Sequence, residues 1–422
     1  MKSTWRSLGP DGGRRTGTTA IVLLLALLVQ PQAYSQNGTV ALTLKGTCDL
    51  WDFDRAYAWD VSVAGDYAYV ACSWGGLLVI DVHDSAQPQV IGALMTDYQT
   101  QNVRVRGRYA YLTDFRGGLR IIDVSDPPAP KLVATWNTVG GAVGICLVGD
   151  YAYVSTHDSA LDPACRRALE IVDVSDPEHP TQAGCFYTDD SPNGVAVVGN
   201  YAYLANGALQ VIDISNPARP FLAGVFKNWD GYCHVVRVIG DYAYVGGNVW
   251  DPGLERDVGF LRVLNVTDPT RPVETGRCSV DFISLVELEV VGNYAYVPAA
   301  QWGLEVIDVS NPSKPVRAAT FKAPDATHSN ATLAVQVVGN TVYLASETYF
   351  HVAEIAFPLR LDATVLPGNT LRLSWPGGVG VRLQKAAVLV NPDWQDVPGT
   401  EGVNSLEFPM TEAMGFFRAV QQ

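Results

Sequence analysis

Residues 193–226 read NGVAVVGNYAYLANGALQVIDISNPARPFLAGVF, and this stretch decides the fold. Runs of Val, Ile, Leu and Tyr alternate with Gly-Asn, Asn-Gly and Asn-Pro pairs. The pattern predicts four short strands, at Gly194–Val198, Tyr201–Ala205, Leu209–Ile214 and Phe221–Phe226. The Ser-Asn-Pro-x-x-Pro connection predicts a tight turn, because an Asx side chain bonds the local backbone and Pro presets φ. Its second Pro has no N–H, so we expect the strand that follows to be outermost in its sheet.

The same unit recurs along the chain at intervals of 41–52 residues. Its Tyr-Ala-Tyr motif begins at Tyr67, Tyr109, Tyr151, Tyr201, Tyr242 and Tyr294, and Thr341 takes this place in a seventh copy. Units of about 42 residues with four strands are typical of β-propeller blades. The seventh copy lacks a fourth strand, whereas residues 41–47 (ALTLKGT) resemble one. The sequence therefore predicts an all-β fold with a seven-bladed propeller of four-stranded blades, closed by an N-terminal outer strand.

The repeated element also resembles a known family. Residues 119–127 (LRIIDVSDP) are similar to the LVIVD repeat of exported bacterial proteins. Six copies match this element well, and with the seventh they cover about Asp60 to Pro358. The resemblance implies a β-propeller and brings no established activity with it.

The two ends of the chain differ from the repeats. Residues 1–35 combine basic residues, an apolar run at 20–29 and the small-residue site Ala33-Tyr34-Ser35, which is the pattern of a cleaved signal peptide. We expect residues 36–358 to form the propeller of a protein that is secreted or periplasmic. Short alternating runs split by Gly and Pro in residues 359–422 predict a small C-terminal β-sandwich.

Composition narrows the classes of function. The net charge of the 422-residue chain is −14, which removes the main driving force for binding nucleic acid. No apolar run reaches the roughly 20 residues of a membrane-spanning helix. The seven cysteines show no zinc-ligand spacing. We therefore expect a monomer with no cofactor, no metal and no nucleic-acid partner.

A binding site in a ring of similar blades has to break the repeat. The aspartates that recur in the motif are interpreted as local hydrogen-bond acceptors, and the Tyr-Ala-Tyr pairs as packing residues. Departures from the repeat, including insertions at residues 157–167 and 249–257, fall on one face of the ring. This loop-bearing face carries the connections from second to third strands and from blade to blade. The candidate ligand-binding residues on it are Trp74, Arg116, Trp229, Asp230, Tyr232, Trp250, Asp251 and Trp302.

Two functions and one structural alternative follow from these residues. Aromatic rings beside acids suit recognition of a glycan or of an extracellular or periplasmic protein, without catalysis. The same rings would also serve to cover the ends of the blades. The alternative function is a carbohydrate-active hydrolase or lyase, although no motif fixes its nucleophile or base. Its candidate residues are Asp158, Asp162, Asp230, Asp251, Glu255 and His234, and the histidines placed on this face are His157, His234, His328 and His351.

A second set of side chains is predicted to face the centre of the ring. Each unit has a glycine just before the second strand, which we call the blade glycine: Gly65, Gly107, Gly149, Gly199, Gly240, Gly292 and Gly339. The residues three positions earlier are Ser62, Arg104, Cys146, Ala196, Arg237, Glu289 and Gln336. Their mixed charge predicts an ion-paired, solvated channel lining rather than a ligand site.

Overall fold

The computed structural model describes residues 40–50, 57–158, 165–227, 231–280, 287–300, 303–322 and 331–357, together with strands between 362 and 421. The predicted signal peptide lies outside the described residues. All the described elements are β-strands, and in the described part of the chain there is no helix of the length and apolarity needed to cross a membrane.

Seven antiparallel sheets of four strands form the blades of a β-propeller. The N-terminal strand is β1 (Ala41–Asp49). Blade 1 contains β2 (Asp60–Ala64), β3 (Tyr67–Ala71), β4 (Leu77–Asp81) and β5 (Gln89–Leu94); blade 2 contains β6 (Thr100–Arg106), β7 (Tyr109–Asp114), β8 (Gly118–Asp123) and β9 (Lys131–Trp136); blade 3 contains β10 (Gly141–Val148), β11 (Tyr151–His157), β12 (Ala168–Asp173) and β13 (Thr181–Tyr187). Blade 4 contains β14 (Gly194–Val198), β15 (Tyr201–Ala205), β16 (Leu209–Asp213) and β17 (Phe221–Phe226); blade 5 contains β18 (Gly231–Ile239), β19 (Tyr242–Asp251), β20 (Arg256–Asn265) and β21 (Val273–Val280). Blade 6 contains β22 (Glu289–Val291), β23 (Tyr294–Pro298), β24 (Leu304–Asp308) and β25 (Val316–Phe321); blade 7 contains β26 (Thr332–Val338), β27 (Thr341–Ser346) and β28 (Tyr349–Ala356).

The N-terminal strand completes the last blade. β1 pairs antiparallel with β28, with Ala41 opposite Ala356 and Asp49 opposite Tyr349, so the order in blade 7 is β1-β28-β27-β26. In the other blades the first strand is at one edge and the strand that follows the second Pro is at the other, as predicted. The predicted seven blades and their N-terminal closure are confirmed.

The apolar core lies between neighbouring blades. Between blades 1 and 2, for example, Tyr69 and Val79 pack with Val103 and Leu112. The second Tyr of each Tyr-Ala-Tyr motif is buried in all six copies. The interpretation of these tyrosines as packing residues is therefore confirmed.

The recurring aspartates fix the turn between the third and fourth strands. Oδ1 of Asp213 accepts hydrogen bonds from the backbone N of Ser215 at 2.9 Å and from its Oγ at 2.6 Å. In blade 5, Oδ1 of Asn265 accepts from N and Oγ1 of Thr267 at 3.0 and 2.6 Å. The prediction of local hydrogen bonding is confirmed, and an amide oxygen serves as well as a carboxylate.

The strands from residue 362 onward belong to a second compact unit. They form two three-stranded antiparallel sheets, ordered β29-β30-β33 and β32-β31-β34. These strands are β29 (Asp362–Leu366), β30 (Thr370–Ser374), β31 (Val381–Ala386), β32 (Gln395–Asp396), β33 (Ser405–Pro409) and β34 (Phe416–Gln421).

We predict that Asp213→Ala lowers the free energy of unfolding by about 1 kcal/mol, because two hydrogen bonds to Ser215 are lost. Asp213→Asn should leave the free energy of unfolding close to that of the parent protein, since Asn265 accepts the same hydrogen bonds in blade 5. Urea unfolding measures both variants. Equal losses for the two substitutions would show that the negative charge, rather than the turn geometry, matters at this position.

We also predict that a chain beginning at residue 50 melts at a lower temperature and aggregates, because β28 then has an uncovered edge. A chain beginning at residue 40 keeps β1 and is the matched control. Thermal melts and size-exclusion chromatography compare the two. If both chains melt alike and stay monomeric, β1 does not close the ring in solution.

Candidate functional site

A chamber of about 260 Å³ lies where the seven inner strands meet. All seven residues predicted from their distance to the blade glycines line it: Ser62, Arg104, Cys146, Ala196, Arg237, Glu289 and Gln336. The blades thus contribute unlike side chains at one shared strand position, which makes the chamber chemically asymmetric although the fold repeats.

The charges of the chamber are paired across the ring. Nη1 of Arg104 lies 2.6 Å from Oδ2 of Asp60, and its Nη2 lies 3.5 Å from Oε2 of Glu287. Arg237 forms an ion pair with Oε1 of the same Glu287. Asp60 and Glu287 are both buried. One ion-pair cluster therefore joins blades 1, 2, 5 and 6, and the predicted ion-paired lining is confirmed.

Burial changes the proton affinity of two chamber residues. It raises the pKa of Glu289 to about 7, although its Oε2 accepts a hydrogen bond from Val337 N at 2.6 Å. Burial also lowers the pKa of Arg237 to about 10, and the neighbouring Arg104 adds to this effect. Both shifts favour the neutral form of a group removed from water.

Side chains of the inner strands also bond the backbone of the next blade. Oδ2 of Asp60 accepts from Val103 N at 2.9 Å, and Oγ of Ser62 accepts from Val105 N at 3.2 Å. Gln336 accepts from Val63 N through its side-chain oxygen. In blades 1 and 2 these bonds cover N–H groups on the edge of the inner strand that no other strand pairs.

A second cavity, of about 270 Å³, opens above the chamber on the loop-bearing face. We call it the funnel. Arg104, Arg237 and Glu287 line both cavities, so the ion-pair cluster separates the funnel from the chamber. The polar and aromatic residues that line the funnel are Trp59, Gln99, Gln101, Asn102, Phe115, His157, Asn193 and His234.

Bulges in the inner strands place several of these side chains. The strand register shifts between Thr100 and Asn102, between Ala142 and Ile145, and between Cys233 and Val235. The inserted residues include Gln101, Val143 and His234, each six positions before its blade glycine. A bulge redirects a side chain, and bulges are common beside functional sites.

Two buried hydroxyls hold the bulged backbone in place. Oγ1 of Thr113 accepts from Asn102 N at 2.9 Å and donates to Val143 O of the next blade at 2.6 Å. Oγ of Ser155 accepts from Gly144 N at 2.9 Å and donates to Asn193 O at 2.7 Å. These hydrogen bonds connect the funnel wall across blades 2 to 4 and fix its backbone in the absence of a ligand.

Both imidazoles of the funnel are shifted toward their neutral form. Burial lowers the pKa of His157 and of His234. Nε2 of His234 lies 2.7 Å from Oδ1 of Asn248, so Nε2 carries the proton and Nδ1 is left as an acceptor, 3.5 Å from Nδ2 of Asn193. Nε2 of His157 is buried, with no hydrogen-bond partner among the described residues.

The candidate residues from the sequence fall on different blades. Trp74 and Arg116 are exposed in the turns that follow β3 and β7, whereas Tyr232, Trp250 and Asp251 belong to blade 5. The ring of Tyr232 lies 5.0 Å from that of the funnel residue His234. Trp229, Asp230 and Trp302 lie outside the described residues, as do Asp162 and His328 of the wider candidate sets.

Trp250 stands near the tip of an extended hairpin. β19 and β20 are each 10 residues long, and Trp250 is 59% exposed. Asp251 serves the hairpin turn itself, because its Oδ1 accepts from Gly253 N at 2.8 Å and from Leu254 N at 3.1 Å. The hairpin presents an exposed indole on a backbone that is already ordered.

Asp158, in the blade 3 insertion, is also engaged. Oδ2 of Asp158 lies 2.7 Å from Nη2 of Arg167, and Oδ1 accepts from Ser191 Oγ at 3.2 Å. The hydrogen bond from Arg167 lowers the pKa of this carboxyl. Asp158 therefore links the blade 3 insertion to the following blade-to-blade connection.

Histidine and cysteine positions give no metal centre among the described residues. His351 is buried in blade 7, where its Nδ1 lies 3.1 Å from Oγ1 of Thr47, so its predicted position on the loop-bearing face is wrong. All seven cysteines lie in the described ranges, and none forms a disulfide.

Sequence reasoning missed the upper wall of the channel. Asp60, Asn102 and Glu287 lie five positions before their blade glycines, where strand alternation places side chains on the channel side. Each lies two residues before a member of the predicted channel set, so the same strand alternation would have identified it. Trp59 and Asn193 lie six positions before theirs, and nothing in the alternation points to them.

The fold and the polar channel define a seven-bladed β-propeller. The LVIVD repeat matches residues 56–96, 99–138, 139–188, 191–228, 230–280 and 286–322, more than half of the chain. The chain therefore belongs to the LVIVD repeat family, as the repeated motif indicated.

A solved structure supports the same architecture. The β-propeller domain of Cps50 (Swd1) from Myceliophteria thermophila is similar, with a TM-score of 0.56 and 11% sequence identity over 75% of this chain and 100% of that domain. At this identity the similarity shows the fold alone. No curated protein matches the chain.

We predict that Glu289→Gln alters the pH dependence of stability. A pKa near 7 means that the folded protein holds this proton more tightly than the unfolded chain, where glutamate titrates near 4.3. The parent protein should therefore lose roughly 1 to 3 kcal/mol between about pH 5 and pH 8 relative to the variant. The glutamine still accepts from Val337 N. Parallel stability curves from urea titrations across this range would contradict the prediction.

Proposed function

We propose that the protein is a non-catalytic binding module that recognises a glycan or an extracellular or periplasmic protein through the loop-bearing face of its propeller. The observation that carries this proposal is the preformed funnel at the centre of that face, with exposed aromatic residues on the surrounding blades. A concave site with a few fixed polar groups is the usual form of a ligand site. Binding residues are often found on loops that a rigid scaffold positions.

Several features support recognition over catalysis. Asp158 is paired with Arg167, and Asp251 holds its own turn. Glu287 is shared between two arginines, so this buried acid is committed to an ion-pair cluster. A general acid or base needs a titrating group that can reach the substrate. These carboxylates instead maintain local structure.

The setting of the module follows from the two ends of the chain. We propose that residues 1–35 are removed as a signal peptide during export and that the mature protein acts as a monomer outside the cytoplasm. The six C-terminal strands would form a small β-sandwich that follows the propeller domain of residues 36–358 in the sequence. Its two three-stranded sheets are compatible with such a sandwich.

We predict that Trp250→Ala weakens partner binding at least about tenfold while thermal stability changes little, because the exposed indole contributes to contact rather than to the core. The mature chain is applied to a glycan array and, immobilised, to extracellular and periplasmic extracts. Mass spectrometry of the glycan wells reports any cleaved sugar.

Phe221→Ala is the matched control, since Phe221 is 55% exposed but begins β17 at the opposite end of its blade. Loss of binding in both variants, or a lower melting temperature for Trp250→Ala, would assign the indole a structural role. Released sugar fragments would overturn the non-catalytic proposal in favour of a hydrolase or lyase.

A further inference from the structure

We call the part of the loop-bearing face around the funnel, with exposed aromatics such as Trp250, the rim. The funnel differs from the rim in its chemistry. Its wall is formed by side-chain amides at Gln99, Gln101 and Asn193, by imidazoles and by the rings of Trp59 and Phe115. Among the described residues, no hydrogen bond engages the side-chain amides of Gln99 and Gln101. Each amide offers donors and an acceptor, which are the two functions that a hydroxyl group also has.

The charges at the floor of the funnel are already compensated. Arg104 contacts Asp60 and Glu287, and Arg237 contacts the same Glu287. A ligand carboxylate or phosphate would have to break this buried cluster, and leaving one partner of a buried ion pair unmatched is strongly unfavourable. Burial also lowers the pKa of both histidines of the wall. Among the described residues that line it, the funnel therefore has no uncompensated charge for an ionic ligand.

Size restricts the ligand further. The funnel holds about 270 Å³, just below the usual range of roughly 300–1,000 Å³ for ligand pockets. The paired arginines close its floor. One ring of a ligand fits such a volume, whereas the remainder of a longer ligand would have to extend out of the open end of the funnel. The wall held by Thr113 and Ser155 is ordered in advance, which reduces the entropy lost on binding.

We infer that the funnel binds the terminal ring of an uncharged saccharide end-on, with Trp59 and Phe115 against its C–H faces and the amides at Gln101 and Asn193 on its hydroxyls. This inference rests on the proposed function, which it narrows from the whole loop-bearing face to one cavity and one ligand class. The exposed aromatics of the rim, such as Trp250, then contact the remainder of the glycan.

The test is isothermal titration of the mature chain with neutral oligosaccharides of different terminal sugars and with their uronate-ended counterparts. We expect a neutral terminus to bind and its uronate counterpart to bind at least tenfold more weakly. Val143→Phe should abolish binding by filling the funnel. Val148→Phe places the same ring on an exposed residue at the other end of β10 and should bind as the parent does.

A second substitution does not depend on steric blocking. Asn193→Ala removes one amide from the wall and should lower the affinity at least tenfold, with the melting temperature within a few degrees of the parent. Preference for the uronate terminus, or binding that survives Val143→Phe, would overturn the funnel inference. If binding survives Val143→Phe but is lost in Trp250→Ala, the proposed function stands and the ligand lies on the rim.

Failure of the two proposals can be told apart. If none of the saccharides binds, but a protein is captured from extracts by the parent and not by Trp250→Ala, the saccharide inference falls and recognition by the loop-bearing face remains. If neither saccharide nor protein binds to the parent chain, both proposals fall.

Discussion

The inner edge of each blade is the constraint on which the rest of the channel depends. The first strand of a blade has a partner on one side only, and buried N–H groups on its open edge require acceptors. Side chains from the preceding blade supply them, as Asp60 and Ser62 do for Val103 and Val105. The requirement explains why polar residues occupy the centre of a fold whose core otherwise lies between sheets. Where such a bond forms, it also links one blade to the next, so the ring is joined near its axis as well as at the β1–β28 seam.

Blades 2, 4 and 5 depart from this scheme, because Arg104, Ala196 and Arg237 stand at the shared position. The two arginines create the ion-pair cluster. Arginine has no acceptor, so Arg104 and Arg237 cannot satisfy the N–H groups of the next blade. Each instead donates to a carbonyl of its own strand, at Val103 and Val236, and extends to Glu287. Buried arginines need such partners, because a buried charge without a partner is costly. The same cluster closes the floor of the funnel. A local failure of the repeat thus separates one continuous channel into a chamber and an outward-facing cavity.

The sequence was informative where the repeat holds and less so where it breaks. Strand bounds in blade 4 were predicted almost to the residue, because Gly-Asn and Asn-Pro pairs end the strands there, and the chamber residues followed from one fixed distance to each blade glycine. Asp60 and Glu287 obey the same alternation and were recoverable. Gln101 and His234 were not predictable as wall residues in this way, because each is the extra residue of a bulge and an insertion shifts the alternation by one. Nothing in a single sequence marks a bulge whose extra residue is neither Gly nor Pro.

The bulges also explain how a repeat fold acquires a specific site. In a blade without a bulge, every second side chain of the inner strand faces the channel. Without bulges, all blades would therefore line the channel from the same strand positions. The register shifts near the start of the inner strand in blades 2, 3 and 5, and there it turns side chains of the other strand face toward the funnel. The rest of each inner strand keeps its regular pairing. The core between blades is kept, since residues that flank the bulges, such as Ile145 and Val235, remain buried in it. Residues at the mouth can therefore vary without disturbing the blades that hold them, and this separation allows a stable ring to carry a binding surface of its own.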